Sequence, residues 1–266
     1  MANSLAVVTG ASSGIGLSLA RELAKRGYDL VICSAGERLD SAFRELQDLG
    51  VEVRDIQADL ATRQRVHELW RGIKMLGRPV DIACINAGVG IGGLFYETDL
   101  EAELNMIELN CVGMVQLAKY FVRDMVGRGE GRILITSSIA GEMVAPREAV
   151  YAATKAFDLS FAHSLRYELR DTGVTVTALQ PGPTDTDFFH RAGMDDTEVG
   201  QKGKFDNEPD EVAKQGIDAL LAGDDHVYAG SMKVKTEGSL ANITPGSVKG
   251  AMHEKQARPV EKRKAS

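Results

Sequence analysis

Six short apolar runs alternate with helical patterns from the first residues to about Leu221, and this alternation constrains the fold more than any other feature. Leu5–Thr9 reads as a strand, a helix pattern runs from Ile15 to Arg26, and Leu30–Cys33 is the next strand. Arg38–Leu49 carries Leu39, Phe43, Leu46 and Leu49 at helical spacing, with Gly50 closing it. Val51–Gln57 is a third strand, and Thr62 is the expected cap of a helix through about Lys74. Val80–Ile85, Arg132–Thr136 and Val174–Leu179 are further strands, separated by long helical patterns at 103–126 and 149–170 and followed by one at Pro209–Leu221. Strand, helix, strand, repeated in this way, marks a parallel sheet covered on both faces. Right-handed crossovers leave few topologies, and the simplest is a single doubly wound α/β domain spanning 1–266. Such sheets bind ligands beyond the carboxyl ends of their strands, so chemistry is expected in the segments that follow strands.

Composition excludes several classes. No apolar run approaches a membrane span, and the first residues lack a basic region followed by an apolar stretch, so neither membrane nor secretion is expected. Three scattered cysteines, Cys33, Cys84 and Cys111, suit a reducing cytoplasm better than a disulfide framework. A net charge of −7 argues against nucleic acid as a partner. The five histidines show no metal-ligand spacing, so no metal is expected.

The first strand-to-helix turn reads Thr9-Gly10-Ala11-Ser12-Ser13-Gly14-Ile15-Gly16. Glycines there permit a tight turn and let backbone N–H groups approach a pyrophosphate at a helix N-terminus. The fourth strand ends in Asn86-Ala87-Gly88, where an amide can brace the central sheet beside an adenosine. Asp59, followed by Leu60, comes after the third strand; it either accepts from an adenine amino group or closes a turn. Ser138 follows the fifth strand, and Tyr151 and Lys155 lie four apart on one helix face. A nearby ammonium favours a phenolate and lowers a phenol pKa from about 10, so this pair reads as an activated acid–base, or else as a snorkelling surface couple. Ser138 could hydrogen-bond a substrate oxygen while Tyr151 gives or takes its proton.

Taken in order, these elements resemble the classical short-chain dehydrogenase/reductase family over roughly residues 5–222. Thr9–Gly16 is similar to its cofactor loop, Asp59 to its adenine contact, Asn86-Ala87-Gly88 to its N-A-G element, and Asn110 to its helix asparagine. Ser138, Tyr151 and Lys155 match its serine and Y-x-x-x-K, and Pro181-Gly182 its P-G turn. The resemblance implies a Rossmann-type fold, hydride transfer between NAD(P)(H) and a carbonyl or secondary alcohol, and a catalytic tetrad of Asn110, Ser138, Tyr151 and Lys155. It further implies that Asn110 holds a water linking Lys155 to solvent, that Lys155 binds the nicotinamide ribose, and that Thr184 and Thr186 touch the nicotinamide end. Expected cofactor contacts are therefore Gly10, Ser12, Ser13, Gly14, Ile15, Gly16, Ser34, Arg38, Asp59, Leu60, Asn86, Ala87, Gly88, Tyr151, Lys155, Pro181, Gly182, Thr184 and Thr186.

Ser34 ends the second strand, where an acidic residue would select NAD; a neutral hydroxyl with Arg38 nearby favours NADP over NAD, although Glu37 could reach an NAD ribose instead. After Leu221 the family commonly has a strand that builds a tetramer. Here Asp225–Gly230 leads into a polar stretch and a short helix near Ser247–Lys255, so a homodimer through the long helices is expected and a tetramer is left open. Ile91, Leu94, Phe95, Met143, Val144, Phe188 and Phe189 are the expected pocket walls and favour an apolar small-molecule carbonyl or alcohol substrate. The charged segment 183–208 is expected to be a lid and 256–266 a flexible tail. Two other classes compete: a catalytically silent redox-sensing module, which would have lost the tyrosine or lysine, and a sugar-nucleotide epimerase, which would want more chain after Leu221.

Overall fold

The computed structural model describes residues 3–201, 207–232, 234–236 and 245–259. Seven parallel strands form one sheet in the order β3-β2-β1-β4-β5-β6-β7: β1 (Leu5–Thr9), β2 (Asp29–Ser34), β3 (Val53–Gln57), β4 (Ile82–Ile85), β5 (Gly131–Thr136), β6 (Val174–Pro181) and β7 (His226–Ala229). The order reverses beside β1, between β1 and β4, which opens a crevice at the carboxyl edge. Alternate side chains of the central strands feed two cores. Val7, Ala83 and Ile133 face one, and Val8, Ile82 and Leu134 the other. The first core packs under α3 (Arg63–Met75), α5 (Met114–Arg128) and α6 (Ala149–Glu168). The second packs under α1 (Gly14–Lys25), α2 (Leu39–Gln47) and α9 (Pro209–Ala222). Because both faces are covered, β1 is buried at all five positions, which is why its sequence reads as a continuous apolar run.

Several local expectations change. Asp225–Gly230 does contain a strand: β7 pairs with β6 from Ala178↔His226 to Pro181↔Ala229, entered by Ala178 N–H donating to the Asp225 carbonyl. The long pattern at 103–126 begins earlier, at α4 (Leu100–Ile107), because the Asp99 carboxylate caps it by accepting from Ala102 N–H. It then widens into a six-residue π-helical segment, Glu108–Gly113, before α5. At Gly113 a Cβ would stand 2.2 Å from the Leu60 carbonyl oxygen, so this segment packs backbone to backbone on the loop after β3. Thr62 precedes α3, but its hydroxyl donates to the Asp59 carbonyl instead of capping the helix. The segment expected to be a lid forms two short helices, α7 (Phe188–Arg191) and α8 (Glu198–Gln201), and its residues 202–206 lie outside the described residues. A last helix, α10 (Gly246–Ala257), takes in the first residues expected to be tail, while 260–266 lie outside the described residues. No described helix is long and apolar enough to cross a membrane.

Candidate active site

One cavity of about 740 Å³ opens at the carboxyl ends of the strands. Its floor begins with the β1–α1 loop. Gly10 and Gly14 adopt φ of +69° and +55°, in the left-handed region that favours glycine. A Cβ at Gly16 would stand 2.2 Å from the Gly10 carbonyl oxygen and 2.5 Å from Asn86 Nδ2, so only glycine lets this turn close. The N–H groups of the first turn of α1 receive no side-chain cap, and no carboxylate lies among them. An uncapped helix start on a glycine cradle suits a pyrophosphate, so the loop fits a dinucleotide.

Asn86 ties this loop to the sheet. Its Nδ2 donates to the Thr9 carbonyl at 3.0 Å, its Oδ1 accepts from Thr136 Oγ1 at 3.1 Å, and Thr9 Oγ1 accepts from the Asn86 and Ala87 N–H groups. The brace expected of Asn86 is thus a network across β1, β4 and β5. Ser12 and Ser34 face one another, with their hydroxyls 2.9 Å apart. Asp59 closes its own turn by accepting from Ala61 N–H at 3.0 Å, and it also lines the cavity beside Leu60. Arg38 is bound to Asp187 of segment 183–208, and Arg191 reaches Ser13 Oγ at 3.1 Å, so this segment lies against the loops that would hold the cofactor.

Tyr151, Lys155 and Ser138 meet at the centre of the cavity. Ser138 leaves β5 in extended backbone, accepts from Ala140 N–H at 3.1 Å and donates to the Pro181 carbonyl at 3.4 Å. Helix α6 is drawn close to this loop: Ser137 Oγ donates to the Lys155 carbonyl at 2.7 Å, and a Cβ on Gly141 would stand 2.7 Å from the Lys155 carbonyl carbon. Lys155 Nζ donates to the Thr136 carbonyl at 2.9 Å and pairs with Asp158 Oδ2 at 3.0 Å. Burial works against its ammonium, but Asp158, with Tyr151 adding to it, offsets this and holds the amine above its ordinary range. Burial likewise keeps the Asp158 carboxyl above the usual carboxylate range despite Lys155. The lowering expected for Tyr151 is not found. Burial pushes its phenol up, Lys155 pulls it down, and Glu148 adds to burial, so the phenol stays above its ordinary value.

Asn110 is brought to this centre but does not line the cavity. It sits in the π-helical segment, 1 % exposed. Its Oδ1 accepts from Val89 N–H at 3.0 Å, and its Nδ2 donates to the Val89 carbonyl and to Thr154 Oγ1. Both amide N–H donors are thus committed, and this side chain fixes the strand-end loop against α6. Every other expected contact lines the cavity: Gly10, Ser12, Ser13, Gly14, Ile15, Gly16, Ser34, Arg38, Asp59, Leu60, Asn86–Gly88, Tyr151, Lys155, Pro181, Gly182, Thr184 and Thr186.

The substrate end departs more from expectation. Met143, Phe188 and Phe189 line it, whereas Ile91, Leu94, Phe95 and Val144 do not. Phe95 turns out to solvent, and Ile91 packs beneath the site with Tyr151 and Met106. Phe188 lies on Tyr151 with ring centroids 5.2 Å apart, seated against Gly90, where a Cβ would meet the ring at 2.3 Å. Sequence reasoning missed the opposite wall, which is α10: Lys249, His253, Gln256 and Ala257 line the cavity. His253 Nε2 lies 2.8 Å from Glu148 Oε2, and Lys249 Nζ donates to the Glu142 carbonyl at 2.8 Å. Its charged residues read as a solvated face, and nothing local announces this wall. Among the described residues no cluster of histidine, cysteine, aspartate or glutamate could hold a metal ion.

Residues 4–197 match the sequence profile of the short chain dehydrogenase family. The chain is 39% identical over 186 residues to 1-deoxy-11-beta-hydroxypentalenate dehydrogenase of Streptomyces exfoliatus, covering 68% of this chain and 67% of that protein. A short-chain dehydrogenase from Sphingobium yanoikuyae, solved with NADPH, superposes with a TM-score of 0.78 at 30% identity over 84% of this chain and 87% of that one. An alcohol dehydrogenase from Thermococcus sibiricus, solved with 5-hydroxy-NADP, gives a TM-score of 0.72 at 31% identity over 84% and 92%.

Proposed function

Since the chain belongs to the short-chain dehydrogenase/reductase family, we propose that it reduces a ketone, or oxidises the matching secondary alcohol, with Tyr151 as the proton donor or acceptor. The observation that carries this reading is the convergence of Ser138, Tyr151 and Lys155 in one cavity beside a glycine cradle. A bound nicotinamide dinucleotide would supply or accept the hydride. Gly10–Gly16 would hold its pyrophosphate, Asp59 and Leu60 its adenine, Lys155 its nicotinamide ribose, and Thr184 and Thr186 its amide end. Ser138 donates a hydrogen bond to the substrate oxygen, which withdraws electrons from the carbonyl carbon. Tyr151 gives its hydroxyl proton to that oxygen in reduction and takes it back in oxidation. Lys155 stabilises the phenolate left behind, and Asn110 and Thr154 hold the surrounding backbone.

NADP(H) is the cofactor favoured here. Ser12 and Ser34 present two hydroxyls at the end of β2, and Arg38 stands in the cavity beyond them, next to the Glu37 carboxylate that also lines it. Two similar structures hold NADPH and 5-hydroxy-NADP, which supports the choice. Met143, Phe188 and Phe189 suit an apolar substrate body, while Lys249, His253 and Gln256 suit a polar group at its far end. Exposed Leu100, Leu104, Phe157 and Tyr167 on α4 and α6 support a homodimer through these helices. The test follows nicotinamide absorbance with both reduced cofactors against ketones and aldehydes, and with both oxidised ones against secondary alcohols. Turnover of bulky ketones with NADPH is expected. Absence of turnover with every pair, together with absence of dinucleotide binding, overturns the proposal.

A further inference from the structure

We propose, resting on the reading above, that Asp158 is a positioning residue of this site, which cancels part of the Lys155 field at Tyr151 and so sets the pH at which that tyrosine exchanges its proton. Tyr151, Lys155 and Asp158 stand at i, i+4 and i+7 of α6, on its buried face with Ala152 and Ala162. Asp158 is 1 % exposed. A carboxylate so buried is strongly destabilising unless a partner offsets its lost hydration, and the partner is the Lys155 ammonium 3.0 Å away. Asp158 Oδ1 has no hydrogen-bond partner among the described residues, so Lys155 is the group that compensates this charge.

The pairing has two effects on the tyrosine. It holds the ammonium between Asp158 and the Thr136 carbonyl, so two of its three N–H donors are committed and its direction is fixed. It also turns an isolated cation into an ion pair whose negative end lies farther from the phenol. The remaining groups around Tyr151 are few. Glu148 opens α6 and is paired with His253 of α10, Ser138 approaches from the loop after β5, and Cys111 of the π-helical segment acts on Lys155 and Asp158. The Cys111 thiol is pushed up to about 11 by burial, with Asp158 adding to it. While Lys155 keeps its proton, removing the Asp158 charge exposes Tyr151 to an uncancelled ammonium, which favours the phenolate; a Lys155 that loses its proton to burial moves the titration the other way. Seven residues of helix span roughly 10 Å. A unit charge at about that distance, at an effective dielectric near ~20, moves a titration by about one pH unit.

The experiment compares wild type with Asp158→Asn, which keeps the shape and an acceptor for Lys155 but not the charge. Two readouts are taken: the pH profile of alcohol oxidation, and the ultraviolet titration of the Tyr151 phenolate, isolated by subtracting Tyr151→Phe. Both are expected to move about one unit to lower pH in Asp158→Asn. A folded Asp158→Asn whose two titrations coincide with wild type, or move to higher pH, overturns the proposal: the first leaves Asp158 a purely structural residue, and the second shows that it sustains the Lys155 ammonium instead of cancelling its field. If Asp158→Asn does not fold, Asp158→Val, which fills the space with an apolar side chain, is read in the same assays against the same expectation. The phenolate titration needs no substrate, so its failure is separable from a failure of the oxidoreductase reading.

Discussion

Adding one methyl group at Gly16 tests the account of the cofactor loop most sharply, because the same change at Gly127 should act with the opposite sign. Both glycines lie in helices, where alanine gains about 0.5–1 kcal/mol from backbone entropy alone. At Gly127 a Cβ meets nothing within 4 Å, so Gly127→Ala should keep that gain. At Gly16 the Cβ would stand 2.2 Å from a carbonyl oxygen and 2.5 Å from Asn86 Nδ2. The first of these belongs to the backbone and the second is held in the network across three strands, so neither can yield cheaply. Overpacking of this kind costs roughly 1–3 kcal/mol, and rigid neighbours place it at the upper end. The net loss is then about 2 kcal/mol, which for a domain of this size lowers Tm by roughly 4–8 °C, against a rise of roughly 1–4 °C for Gly127→Ala. Thermal unfolding followed by circular dichroism reads both. Calorimetric titration with NADPH should show Gly16→Ala weakened at least tenfold and Gly127→Ala unchanged. If Gly16→Ala is as stable as Gly127→Ala and binds as well, the packing argument for the loop is wrong.

Three further outcomes are expected. Arg38→Ala should lower the NADPH-to-NADH affinity ratio roughly ten- to a hundredfold, while Asp187→Asn, which frees Arg38, should raise it; an unchanged ratio in both, by fluorescence titration, removes Arg38 from cofactor choice. Cys84 is buried with its thiol pushed up to about 12, so above about pH 8.5 the unfolded chain ionises there and the folded one does not. Stability is therefore lost as pH rises across that interval, and Cys84→Ala should flatten the alkaline fall of Tm; a fall as steep as in wild type counts against it. Finally, if segment 183–208 is a lid, trypsin should nick Arg191 early and NADPH should protect it; mass spectrometry placing the first cut elsewhere in the described body contradicts this.

The sheet and the meeting of Ser138, Tyr151 and Lys155 in one cavity were legible because each rests on a short-range signal. Buried parallel strands read as apolar runs, Gly10, Gly14 and Gly16 mark a turn that only glycine can make, and Tyr151 and Lys155 share a helix face by spacing alone. What escaped depends on long-range packing. β7 is a four-residue strand whose existence rests on pairing with β6 and not on its own pattern. The wall made by α10 comes from residues that look like a solvated face until His253 meets Glu148, 105 positions away in sequence. The sign of the Tyr151 shift was misjudged because spacing reveals Lys155 but not the burial that outweighs it. Asp158 carried a readable signal, since it continues the spacing of Tyr151 and Lys155 by one more turn, yet a carboxylate there reads as exposed until the helix is packed.

The central claim is that the Tyr151 hydroxyl moves the proton in a hydride-transfer reaction. Tyr151→Phe removes that one oxygen and leaves the ring on Phe188 and Lys155 on its partners. Steady-state turnover of the best ketone with NADPH, measured beside NADPH binding by calorimetry, is the direct test. The account predicts a loss of about 10²–10⁴-fold in kcat with binding nearly unchanged. Turnover by Tyr151→Phe close to that of the wild type would contradict it.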